Sequence, residues 1–264
     1  MQTVQLLQVT DPHLFGDPAT ELYGVNTAES LRLTLAAALA DGPAPDAVLV
    51  TGDIGDDMSA TAYANFKRAL AGCGAPVFCL PGNHDDPALM AQLLDGDGFQ
   101  YCGSTRIGTW GFVFLDTHLP GRPHGRLAAG ELERLDAELR ALHGVRALVC
   151  LHHPPVPVGS TWLDGVGLLN GTEFLDVIDR HSNVRCVLAG HVHQAFDVQR
   201  SGVRMLASPS TCAQFTPRTE RCVMDDRPPG YRWLSLHGDG SVSTRVGWLP
   251  RLVGAPREVN ESRR

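Results

Sequence analysis

The chain has 264 residues, 43% of them hydrophobic and 19% charged, with a formal net charge of −7 at pH 7. Those proportions suit a soluble globular protein with a substantial core, and the acidic balance excludes the basic face of a protein that coats nucleic acid. Met1-Gln2-Thr3-Val4 leads into a strand-like run with no basic region or long apolar stretch, so no signal peptide or membrane span is expected and a cytoplasmic location is the default.

Strand and helix alternate along the first part of the chain. Val4 to Thr10 is a short apolar run that breaks at Asp11. Thr27 to Ala40 predicts a helix with Leu31, Leu35 and Leu39 on one stripe and Asn26 or Thr27 as its N-cap. Ala47 to Thr51 is apolar enough for a strand covered on both faces. Ser59 to Ala71 predicts a helix, Val77 to Leu80 a buried strand, and Pro87 to Leu94 a helix with proline in its first turn.

The rhythm then changes. Gln100 to Ile107 and Trp110 to Leu115, separated by Gly108-Thr109, predict an antiparallel hairpin. Glu131 to Leu142 is a helix with Leu132, Leu135, Leu139 and Leu142 on one face. Apolar strands at Val145 to Leu151 and Val184 to Ala189 flank a helix near Thr172 to Ile178. Strands follow at Ala195 to Gln199, Val203 to Ala207, Tyr231 to Leu236 and Val242 to Trp248. No repeat or low-complexity linker interrupts the pattern, so one domain over 1–250 is expected, with 251–264 as a partly disordered tail and fraying at Glu261 to Arg264. The seven cysteines lack a Cys-x-x-Cys spacing, and Cys79, Cys150 and Cys186 read as small buried hydrophobes.

Short polar clusters punctuate these runs: Asp11-Pro12-His13, Gly52-Asp53, Gly82-Asn83-His84-Asp85, His152-His153-Pro154 and Gly190-His191-Val192-His193. Each begins where an apolar strand ends, and ligands of open α/β sheets gather outside the carboxyl ends of strands. Asp11 and His13 are two apart, as are His191 and His193, so an extended segment points each pair to one side. The glycines suit tight turns and close backbone approach to a charged centre. Carboxylate and carboxamide oxygens mixed with imidazole, without thiolate, fit Mn, Fe or Zn. Two such ions about 3.5–4 Å apart can clamp the attacking and leaving oxygens of a displacement at phosphorus and ionise a water between them. Asp53, central in the order of clusters, is the natural bridging carboxylate. No Gly-x-Ser-x-Gly elbow is present.

The series Asp-x-His, Gly-Asp, Gly-Asn-His-Asp, His-His-Pro and Gly-His-x-His resembles the calcineurin-like metallophosphoesterase superfamily over residues 4 to 207. Gly24-Val25-Asn26-Thr27, Ser208-Pro209-Ser210-Thr211-Cys212 and Pro229-Gly230-Tyr231-Arg232 resemble its class III cyclic nucleotide phosphodiesterases, the bacterial 3′,5′-cyclic AMP phosphodiesterases in particular. The resemblance implies a four-layer α/β/β/α sandwich of two mixed sheets and two metal ions per chain, iron or manganese before zinc or cobalt. Asp11, His13 and His193 would hold the first ion, Asp53 would bridge, and Asn83, His152 and His191 would complete the second. His84 would face the phosphate, stabilising charge or protonating the leaving oxygen, beside Asn83. The implied reaction is hydrolysis of 3′,5′-cyclic AMP to 5′-AMP by a metal-bridging hydroxide. The same ligand set serves other phosphodiesterases or phosphomonoesterases, acting for example on 2′,3′-cyclic nucleotides, glycerophosphodiesters or nucleotide-sugar lipids, so these stay open. A small cyclic nucleotide is the expected partner, with no nucleic acid polymer or membrane; a homodimer is compatible.

Other polar residues carry plainer readings beside the functional ones. His153 is either a neighbour that orients a ligand and borders the substrate or a turn residue before Pro154-Pro155. His118 and His124 read as solvated loop residues, and His143, His181 and His237 as surface ones. Asp85 and Asp86 read as caps of the helix that follows. Phe15, Tyr23 and Phe215 either stack on a base or pack their loops. Arg218, Arg221 and Arg227 read as solvated charge.

Overall fold

Alternation along the strands decides the architecture. In Val4–Val9, Leu6 faces one side and Leu7 and Val9 the other, and Ala47–Val50 splits Leu49 from Val48 and Val50 in the same way. A strand apolar on both faces must be covered twice, and the computed structural model, which describes residues 3–254, does so.

One six-stranded sheet runs in the order Val242–Trp248, Gly230–Leu236, Val4–Val9, Ala47–Val50, Val77–Cys79, Phe99–Tyr101. The other runs Phe196–Arg200, Val203–Ala207, Val184–Ala189, Arg146–Cys150, Trp110–Phe114, Gly103–Ile107. Both are mixed, with four parallel strands and antiparallel partners at the edges. Leu6, Leu49, Phe78, Phe112, Leu188 and Leu234 fill the space between the sheets, where Phe78 stacks on Phe114 at 5.2 Å. Helices Thr27–Asp41, Ala60–Leu70 and Pro87–Leu93 cover the outer face of the first sheet, and Ala129–Ala141 and Gly171–Asp179 that of the second. These are the four expected layers.

Helix starts follow local chemistry: the side chains of Asn26, Ser59 and Asp86 accept the backbone N–H of Glu29, Ala62 and Ala88. The expected strand from Gln100 to Ile107 is two strands in different sheets. Phe99–Tyr101 pairs parallel with Val77–Cys79, whereas Gly103–Ile107 forms the hairpin with Trp110–Phe114. Cys102 and Gly103, at φ 48° and 81°, turn the chain from one sheet to the other. Five of the seven cysteines, Cys79, Cys150 and Cys186 among them, are buried. Of the expected tail at 251–264, Val253 packs beside Val25 and Cys212, and residues 255–264, with Glu261 to Arg264, lie outside the described residues. No helix among the described residues is long and apolar enough to cross a membrane.

Candidate metal centre

The parallel strands of both sheets end at the same rim, and the polar clusters sit on the loops just beyond them. Backbone hydrogen bonds tie neighbouring loops together, Asp11 N–H to the Gly52 carbonyl, His13 N–H to the Asp53 carbonyl and Gly190 N–H to the His152 carbonyl. Asp11, His13, Asp53, His191 and His193 have φ of 51°, 48°, 50°, 69° and 48°. Extended segments therefore do not aim these pairs; the chain curls at each residue through the left-handed region. Such backbone costs roughly 1–3 kcal/mol per residue and persists where surrounding structure imposes it. Gly82 passes so near Asp53 that a Cβ there would stand 2.1 Å from Oδ1, and one on Gly52 would stand 2.4 Å from His152 Nδ1.

The outer nitrogens of three histidines are held. His152 Nδ1 donates to the Thr51 carbonyl at 2.7 Å, His193 Nδ1 to the Ala213 carbonyl at 2.8 Å and His13 Nδ1 to Asp56 Oδ1 at 2.9 Å. Those oxygens can only accept, so each Nδ1 carries a hydrogen and each Nε2 is the atom turned into the cluster. There the Nε2 atoms meet one another and neighbouring oxygens. His13 Nε2 lies 3.2 Å from His193 Nε2, and His152 Nε2 lies 3.2 Å from Asn83 Oδ1. His193 Nε2 is 3.4 Å from Asp11 Oδ1, and His191 Nε2 is buried with no hydrogen-bond partner among the described residues. Buried nitrogens and carboxylates converging this closely are costly unless protons or a cation join them.

Ligand atoms of Asp11, His13 and His193 lie within 4.8 Å of one another, as do those of Asp11, Asp53 and His152. Asp53 Oδ2 stands 3.3 Å from His152 Nε2 and 3.8 Å from His13 Nε2, so one oxygen faces both halves of the cluster. The electrostatics agree. Burial alone would raise Asp53, but the positive charge of His152 and His84 holds it well below the carboxylate range. Burial likewise works against a charged His152, yet Asp53 lifts it to about 9. Burial, reinforced by His152, pushes His191 down to about 3. Protons thus balance the carboxylates in the metal-free protein, while His191 stays neutral as a ligand requires. These residues fit a pair of cations.

His84 stands apart, its side chain 44% exposed, with Nδ1 3.0 Å from Asp56 Oδ1 and its backbone N–H donating to Asp53 Oδ1 at 2.9 Å. Burial lowers this imidazole, but Asp53 and Asp56 outweigh it and raise it to about 9. Asp56 was not singled out by the sequence, although one of its oxygens serves both His13 and His84. The Asp53-Ile54-Gly55-Asp56 spacing is the one local signal it leaves. Asp85 does not cap the helix. It is fully buried and accepts the N–H groups of Ile54, Gly55 and Gly82, clamping the Asp53 loop to the Asn83 loop, and the capping role falls to Asp86 alone.

His153 is corrected as a substrate contact. It is wholly buried, with Nδ1 2.8 Å from the Thr117 hydroxyl and Nε2 3.3 Å from the Pro123 carbonyl, and its ring backs those of His152 and His191. Phe215 stacks on the His193 ring at 4.6 Å, with Tyr23 and Trp162 edge-on to it, so this aromatic packs a ligand loop. Arg227 pairs with Asp225 and lies over Trp248, while Arg218 and Arg221 are exposed. His118 and His124 are half-buried in their loop, His143 is exposed, and His181 binds Asp136.

A calcineurin-like phosphoesterase profile matches residues 4–195. The chain is 38% identical over 251 residues to the 3′,5′-cyclic adenosine monophosphate phosphodiesterase CpdA of Pseudomonas aeruginosa, covering 95% of this chain and 92% of that one. It is 39% identical over 259 residues to the protein of that name from Escherichia coli K12, covering 98% and 94%. Among solved structures, a dimetal phosphatase from Danio rerio superposes with a TM-score of 0.67 at 18% identity over 91% of this chain and 98% of that one, a likeness of fold.

Proposed function

The chain belongs to the calcineurin-like phosphoesterase family, and on that premise we propose that it is a metal-dependent phosphodiesterase opening 3′,5′-cyclic AMP to 5′-AMP. The near full-length likeness to proteins named for that activity carries the substrate. We read Asp11, His13 and His193 as ligands of one cation, Asn83, His152 and His191 as ligands of a second, and Asp53 as the bridge. Iron and manganese suit this oxygen and imidazole set, with zinc and cobalt as other loadings. When bound, the pair would supply an ionised water at neutral pH and neutralise charge on the phosphate oxygens.

The side chains do the rest. Asp56, fixed between His13 and His84, holds Nδ1 of His84 and leaves Nε2 to meet the phosphate. A charged imidazole there stabilises the phosphoryl oxygens as the bond to the 3′ oxygen lengthens, then gives that oxygen its proton. Asn83 stands beside it, its carboxamide oxygen turned to His152 and its amide nitrogen available to the substrate. The test compares turnover of cyclic AMP, cyclic GMP, 2′,3′-cyclic AMP and bis-p-nitrophenyl phosphate by the manganese-loaded protein. The highest kcat/KM is expected for 3′,5′-cyclic AMP, with 5′-AMP as sole product. A higher kcat/KM for any other member of the set overturns the assignment.

A further inference from the structure

The space between the sheets is largely apolar, and a buried polar group sits at the end that borders the metal centre. Alternation places Gln8 on the face of Leu6, Thr51 on that of Leu49, Ser208 on that of Leu206 and Arg232 on that of Leu234. Gln8 and Arg232 are direct partners across the strand pair. All four are buried, and none appears among the proposed ligands.

Their hydrogen bonds run one way. Arg232, which can only donate, gives Nε–H to the Ser208 hydroxyl at 2.9 Å and binds the carbonyls of Ala207 and Phe196. Ser208 therefore donates onward to Gln8 Oε1. Gln8 Nε2 donates to the Ala189 carbonyl at 3.0 Å, an acceptor that cannot reverse, and to the Thr51 hydroxyl at 2.8 Å. Thr51 donates to Thr10 at 2.7 Å, and Thr10 to Asp11 Oδ2 at 2.6 Å. The amide of Gln8 is thus clamped at both ends, and by donating to Thr51 it turns that hydroxyl toward Thr10, whose own hydroxyl donates a hydrogen bond to Asp11 Oδ2. The His191 backbone N–H reaches both Asp11 oxygens at 3.1 Å; the Thr10 hydroxyl binds Oδ2, and Oδ1 is the oxygen that faces His193, 3.4 Å away.

We propose that Gln8 is a positioning residue for Asp11: held by Arg232 and Ser208 on one side and Ala189 on the other, it drives the Thr51 and Thr10 hydroxyls into one carboxylate oxygen and so presents the other to a cation. The inference rests on the reading of Asp11 as a metal ligand. A chain that merely held the sheets together would have no reason to end in a donation to a carboxylate of the metal centre, and a flipped amide would set its oxygen against the Ala189 carbonyl.

The experiment is a double-mutant cycle on manganese binding, read by titration calorimetry on the metal-stripped full chain. Thr10→Val removes the last donor, and Gln8→Met removes the amide at nearly constant volume. Each is expected to weaken manganese binding about tenfold, the scale for a group that orients a ligand. The double variant is expected to match Thr10→Val alone, because both break one chain. Ser208→Ala, a smaller change that leaves the fold least disturbed, should move affinity the same way with thermal stability of the stripped protein near wild type, and carries the test if Gln8→Met does not fold. Manganese affinity unchanged in Gln8→Met or in Ser208→Ala overturns the proposal, as does a double variant weakened about a hundredfold. Wild-type protein that binds no manganese would overturn the functional reading and this inference together; wild-type binding with unaffected variants overturns this inference alone.

Discussion

Asp56→Ala is the sharpest single perturbation of this centre, because one carboxylate oxygen supports two imidazoles at 2.9 and 3.0 Å. Its removal frees His13 to rotate and to place its hydrogen on either nitrogen, and it removes the anchor of His84. Loss of an orienting partner costs a ligating histidine about ten- to hundredfold in metal affinity. At about 1.4 kcal/mol per tenfold that is roughly 1.4–2.8 kcal/mol. A hydrogen bond to a charged group independently suggests about 1.5–3 kcal/mol. Because the Asp56 side chain is only 16% exposed, solvent does little to replace what is lost. Manganese binding by calorimetry should weaken by that factor. Turnover at saturating manganese should fall about a further tenfold or more through His84, within the range of general acid effects. Asp56→Asn, whose oxygen can face both rings but carries no charge, should fall between. A manganese Kd within about twofold of wild type in Asp56→Ala would refute the reasoning, since no other group among the described residues holds His13 Nδ1 in this geometry.

Three further outcomes are expected. Asn83→Ala should lower the manganese stoichiometry and remove nearly all activity while circular dichroism stays native; full activity with unchanged metal content would end its assignment as a ligand. Replacing His84 with Ala should cut kcat about a hundredfold or more with both metals retained, and metal loss measured by elemental analysis would show the role to be wrong. In metal-stripped protein burial lowers the His152 imidazole, but Asp53 prevails and raises it from the usual histidine range near 6.5 to about 9. A raised folded-state value contributes stability that is complete below about 6.5 and disappears as pH rises through about 9. Urea unfolding of the chelated protein should therefore show falling stability between those pH values, less so in Asp53→Asn; an equal slope in both proteins counts against the His152–Asp53 pairing.

Much of the centre is written locally. Asp11, Asp53, Asn83, His152 and His191 each follow an apolar run, and a strand's end is fixed by short-range pattern, so the sequence already places them at one rim. Helix stripes and caps are legible for the same reason. Cys102 hides a change of sheet inside what reads as one strand, since the turn depends on backbone angles and not on hydropathy. Asp85 reads as a cap because its own neighbours suit one, yet its partners come from the Asp53 loop.

The sequence by itself determined which chemical groups are available and where along each strand they fall. Tertiary structure alone decided what those groups face. His13 meets His193 across 180 positions of chain, and Gln8 meets Ser208 across 200. The His152 tautomer and the orientation of the Gln8 amide are set by partners 101 and 181 positions away, through distances of about 3 Å that no local pattern encodes.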